Sequence, residues 1–293
     1  MDPRDIIDAS VALDGSGRAH DALLDAIGDA RFVLLGEATH GSRELYLERA
    51  RLTHRLIAEK GFDAIAIEAD FPDAHRLNAY VGRRGDDRTA EEALSGFTRF
   101  PRWMWRNTAF RELVETLRED APHVRLYGLD LYSLHASIEA IVEHLQRTDP
   151  EAAARARSRY ACFHHFGVDT ESYAYAAGLG LTPDCEDAVA GQLVEMRERG
   201  MASLAPADDA EARFCLEMNA ALVKSAEAYY RSMLKGSAVT WNLRDRHMAD
   251  TLARIVQHLD HVKGPGRLSK VVVWAHNSHV GDARATELSL IHI

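Results

Sequence analysis

Four short apolar runs in this chain each end in ionisable side chains. Phe32–Leu35 leads into Gly36, Glu37, Ala38, Thr39 and His40, and Ala64–Ile67 leads into Glu68 and Asp70. Asp130 follows Val124–Tyr127, and His276, Asn277 and His279 follow Val271–Ala275. The set holds imidazoles and carboxylates but no evident nucleophile. Such a combination suits the activation of water. A histidine titrating near neutral pH takes the proton, carboxylates orient it, and cationic or imidazolium donors steady a developing oxyanion.

The elements that must position these residues follow from the hydrophobic pattern. Short continuous apolar runs read as strands covered on both faces. Helical periodicity is expected over residues 1–30, with a glycine break at 15–17, and over 42–60, stopped by Gly61. A short helix is expected over 71–82 and another over 107–120. From Leu134 to Leu259 the period is nearly all helical, in pieces at 134–146, 150–163, 184–199, 208–234 and 243–259. The expected fold is α/β, with a mainly parallel central sheet flanked by helices and a large helical insertion or lobe. One domain is expected, with an α/β core over 1–133, the helical lobe over 134–262 and a return to the core over 263–293. In an open parallel sheet ligands bind beyond the carboxyl ends of the strands, so the four polar sets converge on one edge.

The helix after the first strand offers a test. At about 100° per residue, Leu45, Tyr46, Leu52, Leu56 and Ile57 share one face. Arg49 falls in the middle of that face and Arg51 outside it. A buried arginine needs a carboxylate, and Glu37 and Glu68 are the natural partners. Structural roles stay open beside the catalytic ones. Arg49 and its carboxylates can form an ion pair that only closes the pocket floor, His40 can cap a helix start, and Glu37 can shape its turn. The spacing of His276 and His279 would suit a metal on a helix, but after a strand it reads as loop or first helical turn, without a metal. His164 and His165 read as surface or lobe packing, and His144, His258 and His261 as solvated.

Composition narrows the function classes. The chain has 293 residues, with 35 basic and 45 acidic side chains and a net charge of -10. That balance disfavours nucleic acid and anionic membranes as partners. No apolar stretch approaches the roughly 20 residues of a membrane span, and the N-terminus lacks the apolar core of a signal peptide. Cys162, Cys185 and Cys215 are odd in number and widely spaced, which argues against a disulfide scaffold and a thiolate zinc site and for a reducing cytoplasm. No strand–elbow serine motif, phosphate-binding loop or dinucleotide glycine pattern is present, so no cofactor is expected.

Several segments, in order, resemble the erythromycin esterase family. They are Gly36–Glu44 (GEATHGSRE), Arg49–Leu52, Ile67–Asp70 (IEAD), Phe100–Asn107 (FPRWMWRN), Tyr127–Leu134 (YGLDLYSL), Arg244–Ala249 (RDRHMA) and Trp274–Gly281 (WAHNSHVG). The resemblance implies hydrolysis of an ester, with a macrolide lactone as the family's substrate, by activated water and without a covalent intermediate. It implies His40 as general base, Glu37 and Glu68 as supporting carboxylates, and Arg49, His276 and His279 as further polar residues of the cleft. Trp103, Trp105, Tyr132 and Phe100 are expected as apolar walls, although large aromatics also pack cores, and Asp130 as a substrate contact. The residues after Glu287 depart from the family pattern, so the chain is expected to be incomplete there. The competing expectation is a non-catalytic or metal-dependent protein that binds a metal or polar metabolite in the same cleft.

Overall fold

Strand alternation decides the layering of this molecule. The computed structural model describes residues 4–5, 10, 18–99, 101–166, 169–182, 184–202, 207–281 and 288. Among them run four parallel strands, β1 (Phe32–Glu37), β2 (Ala64–Asp70), β3 (Arg125–Asp130) and β4 (Val271–His276), in the order β1-β4-β2-β3. Ala64, Ala66, Tyr127, Leu129, Val271, Val273 and Ala275 face one apolar cluster, while Ile65, Ile67, Leu126, Val272 and Trp274 face another. A strand with both faces covered needs an unbroken apolar run, and that run is what the sequence carries.

On the second face pack α1 (Arg18–Ile27), α2 (Arg43–Lys60), α3 (Phe71–Val81), α4 (Ala90–Leu94) and α5 (Thr108–Asp120). The first face carries the helical lobe between β3 and β4. It comprises α6 (Leu134–Thr148), α7 (Pro150–Tyr160), α8 (Thr170–Gly178), α9 (Glu186–Ala202), α10 (Ala207–Arg231) and α11 (Ser237–Lys263). A single turn, α12 (Asn277–Val280), follows β4. The fold is therefore α/β with a parallel sheet and a helical lobe.

The last strand in sequence slots between β1 and β2, with Glu37 in register with His276. This insertion sets His276, and the α12 turn that carries His279, between the acidic ends of β1 and β2. Each strand bearing a carboxylate runs on to include it, beyond the apolar run that marks it in the sequence. The helices α4 and α8 lie outside the separate helical pieces expected from the sequence. No helix among the described residues is long and apolar enough to cross a membrane.

Two expectations need correction. Cys162 and Cys185 form a disulfide with Cα atoms 6.0 Å apart, which joins the turn after α7 to the residue before α9. The chain folds back through α8 over a separation of 23 residues, and spacing alone does not reveal that return. The argument from unpaired cysteines to a reducing compartment falls with it. His258 is not solvated: its ring stacks on Phe214 at 4.1 Å, and Nε2 lies 3.0 Å from Glu211 Oε2. Phe100, the residues from 282 to 287 and the terminal segment lie outside the described residues, apart from Leu288.

Candidate active site

The end of β1 buries Glu37, and the turn after it brings His40 back over that carboxylate. Gly41 makes the turn possible. Its φ is +86°, and a Cβ there would stand 2.8 Å from the Trp103 ring. His40 Nδ1 lies 2.7 Å from Glu37 Oε1. With Nδ1–H donating to the carboxylate, Nε2 is left as the basic nitrogen.

The other Glu37 oxygen accepts from Arg49 Nη2 at 2.7 Å. Arg49 is buried, as the helical phase predicts, and its guanidinium lies 4.7 Å from the Tyr46 ring and 4.5 Å from that of Trp274. Burial lowers its pKa, while the Glu37 charge acts the other way. Arg49 Nε and Nη1 have no hydrogen-bond partner among the described residues. Arg51 points outward and pairs with Glu48.

Glu68 does not join this pair. Val33 and Leu35 lean towards α2, and Glu37 continues that side. Ala64 and Ala66 lean towards the lobe, and Glu68 continues that one. The period of two therefore hands Glu37 to Arg49 and Glu68 to an arginine of the lobe, Arg244 of α11. Glu68 Oε1 accepts from Arg244 Nη2 at 2.7 Å, and Oε2 accepts from the His276 backbone N–H at 2.8 Å. Burial pushes the Glu68 carboxyl up, but the His279 and Arg244 interactions outweigh it and hold it well below the usual carboxylate range.

Arg244 also grips Asp130, and its guanidinium lies 5.0 Å from the Tyr132 ring. Arg99 approaches that ring at 4.4 Å and donates to Asp70 at 3.1 Å. Burial, together with the charge of Asp130, raises the Asp70 pKa. His279 Nδ1 lies 2.6 Å from Asp245 Oδ1, and Trp241 stacks on the ring and donates to Oδ2 at 3.1 Å. His279 Nε2 stands 3.3 Å from Glu68 Oε1 and 3.0 Å from Arg244 Nη1. Burial pulls the His279 pKa down, but the hydrogen bonds to Asp245 and Glu68 prevail and push it up to about 9.

His276 links the two groups. Its backbone holds Glu68, and its ring centroid lies 5.0 Å from that of His40. Nε2 donates to the Ala38 carbonyl at 3.2 Å, and Nδ1 accepts from the Ser278 N–H at 3.2 Å. A cavity of about 420 Å³ opens beside His40, lined also by Gly41, Arg43, Tyr46, Trp103, Asn107 and Thr108.

The strand ends thus bring together His40, Glu37, Arg49 and His276 near the cavity, with Trp103 as its exposed wall. Glu68, His279, Asp130 and Tyr132 form an inner network around Arg244. Trp105 is buried in the core, edge-on to Tyr46 and Phe110. Sequence reasoning gave no role to Arg244, Asp245, Trp241 or Arg99. A signal was present: Asp245 lies three residues before Met248 and seven before Leu252, on the apolar face of α11, as Arg49 lies on that of α2.

Comparison with known proteins agrees with this architecture. The family model described as Erythromycin esterase matches residues 57–290. Erythromycin esterase type II of Escherichia coli is 24% identical over 269 residues, which cover 87% of this chain and 61% of that protein. The chain therefore spans less than two thirds of the length of this curated relative. A crystal structure of a succinoglycan biosynthesis protein superposes with a TM-score of 0.69 at 20% identity, covering 92% of this chain and 63% of that one. A mutant of the erythromycin esterase EreC in its open conformation superposes with a TM-score of 0.65 at 18% identity, covering 90% of this chain and 65% of the other. By the family match over most of its length, the chain belongs to the erythromycin esterase family.

Proposed function

We propose that this chain hydrolyses a carboxylic ester, with a macrolide lactone as the leading substrate class, through water activated by His40. The observation that carries the reading is the 2.7 Å contact between His40 Nδ1 and Glu37 Oε1, beside the cavity. Nε2 takes a proton from water while the hydroxide attacks the ester carbonyl. Glu37 holds the imidazole in the productive tautomer and steadies the imidazolium. Arg49 keeps Glu37 in place from the opposite side. The His276 ring stands 5.0 Å from that of His40, and its hydrogen bond to the Ala38 carbonyl steadies the turn that carries His40. Collapse of the tetrahedral intermediate expels the alkoxide, which recovers its proton from His40. No bond to the protein forms at any step. Trp103 offers an apolar surface to a bulky ester, and ring opening would inactivate a macrolide antibiotic.

Incubation with a panel of macrolide lactones and simple aryl esters in oxygen-labelled water tests the reading. The expected product is the ring-opened or free acid carrying one labelled oxygen by mass spectrometry. Absence of hydrolysis of every ester by folded protein at stoichiometric concentration contradicts it.

A further inference from the structure

Away from the strand-end network, three different metal-ligating side chains meet where α10 packs against α3. Cys215 and Glu211 lie one turn apart on α10, and His75 comes from α3. One ligand atom from each lies within 4.8 Å of the other two, and His75 Nδ1 stands 3.1 Å from Cys215 Sγ. Ligands bonded to zinc at about 2.0–2.3 Å in a tetrahedron stand roughly 3.3–3.8 Å apart, so small side-chain shifts close the set.

The surroundings of Glu211 resemble those of a ligating carboxylate. Tyr127 Oη and Asn78 Nδ2 both donate to Oε1 at 3.2 Å. His258 Nε2 faces Oε2 at 3.0 Å, with its ring clamped flat against Phe214. Donors that fix a carboxylate from outside are the usual support of a metal centre. Asn78 is in turn fixed, because its Oδ1 accepts from the Leu126 N–H at 3.2 Å. The cluster shares no residue with the His40 cavity or the Arg244 network. Its cysteine and histidine are 140 residues apart, so no ligand spacing announces it in the sequence.

We propose that His75, Glu211 and Cys215 bind a divalent metal ion of the zinc class, which fastens the helical lobe to the α/β core. A thiolate with an imidazole and a carboxylate is a borderline-soft donor set, suited to zinc or cobalt and poorly suited to magnesium or calcium. On binding, the Cys215 thiol yields its proton to solvent and the sulfur bonds the metal, with no change of oxidation state. His75 ligates as the neutral imidazole and Glu211 as the carboxylate. His258 remains outside as the donor that orients Glu211. The proposal is independent of the esterase reading.

Titration of the chelator-treated, disulfide-intact chain with cobalt(II), followed by absorption, tests this site. One equivalent of cobalt is expected to bind with a thiolate-to-cobalt charge-transfer band in the near ultraviolet, and zinc is expected to displace it. Cys215→Ser abolishes the band, and His75→Gln weakens binding at least about 10-fold. Circular dichroism establishes that both variants are folded. The wild-type titration decides the matter even if a variant fails to fold. Absence of a saturable band in the folded wild-type chain overturns the proposal, and so does a band that survives Cys215→Ser.

Discussion

Arg244 of α11 closes a two-pronged pair on Asp130 of β3, with Nε donating to Oδ1 at 2.9 Å and Nη2 to Oδ2 at 2.8 Å. The same Nη2 reaches Glu68 on β2, so one guanidinium ties the lobe to two strand ends. Its removal takes the hydrogen-bonded guanidinium from two buried carboxylates, leaving Glu68 with His279 at 3.3 Å and Asp130 with Arg99 at 3.7 Å. Arg244→Leu is expected to cost about 3–5 kcal/mol in urea denaturation. Arg244→Lys keeps the charge but loses the planar fork, and is expected to fall between the mutant and the wild type. A loss below about 0.5 kcal/mol for Arg244→Leu would show that the clamp contributes nothing to stability.

Arg49 and Arg51 form a matched pair of opposite outcome. Arg49→Leu strands Glu37 in the core and is expected to cost about 3–5 kcal/mol, with loss of activity as His40 loses its anchored partner. Arg51 pairs with Glu48 at the surface, so Arg51→Leu is expected to stay within about 0.5 kcal/mol. Equal denaturation midpoints for the two variants contradict the helix phase that separates them.

Gly128 marks the tightest backbone approach beside the site. A Cβ at this position would lie 2.5 Å from the Ala69 carbonyl oxygen and 2.7 Å from that of Asp70. Those are backbone atoms of a central strand and cannot turn aside. Gly128→Ala is therefore expected near the upper end of the roughly 1–3 kcal/mol cost of overpacking. At Gly191, inside α9, a Cβ would meet only Arg159 Nε at 3.7 Å, so Gly191→Ala is expected to gain about 0.5–1 kcal/mol. Thermal unfolding of the two variants should give midpoint shifts of opposite sign.

His279 gives stability a pH dependence. Its pKa is raised from 6.5 to about 9, so its contribution is complete below the unfolded value and disappears as pH rises through 9. Glu68, Asp245 and Arg244 are the charged groups that face it. The unfolding free energy is expected to fall by about 2–3 kcal/mol between about pH 6.5 and 9, and His279→Gln should flatten that limb. Parallel pH profiles for the two proteins would remove His279 from the account.

The strands were legible because burial on both faces demands an apolar run, as at Val271–Ala275. Their polar ends were legible as sites but not as strand, because Glu37, Glu68 and Asp130 break the hydrophobic pattern while continuing the ladder. Arg49 could be placed by helical phase, with both Glu37 and Glu68 as its candidate partners. The choice between Glu37 and Glu68 needed the sheet alternation as well. Arg244 escaped because a long helical lobe separates it from the strands it serves, and nothing local says which carboxylate it meets. The Cys162–Cys185 bridge was hidden for the same reason, since it depends on how α7 and α9 pack.

The central claim is that His40, held by Glu37, activates water. Steady-state hydrolysis of an ester turned over by the wild-type chain tests it most directly in His40→Asn, a variant checked for native folding by circular dichroism. A fall in kcat on the order of 10²–10⁴-fold, with KM little changed, is the predicted result. A folded His40→Asn protein that retains near-wild-type kcat would contradict the account.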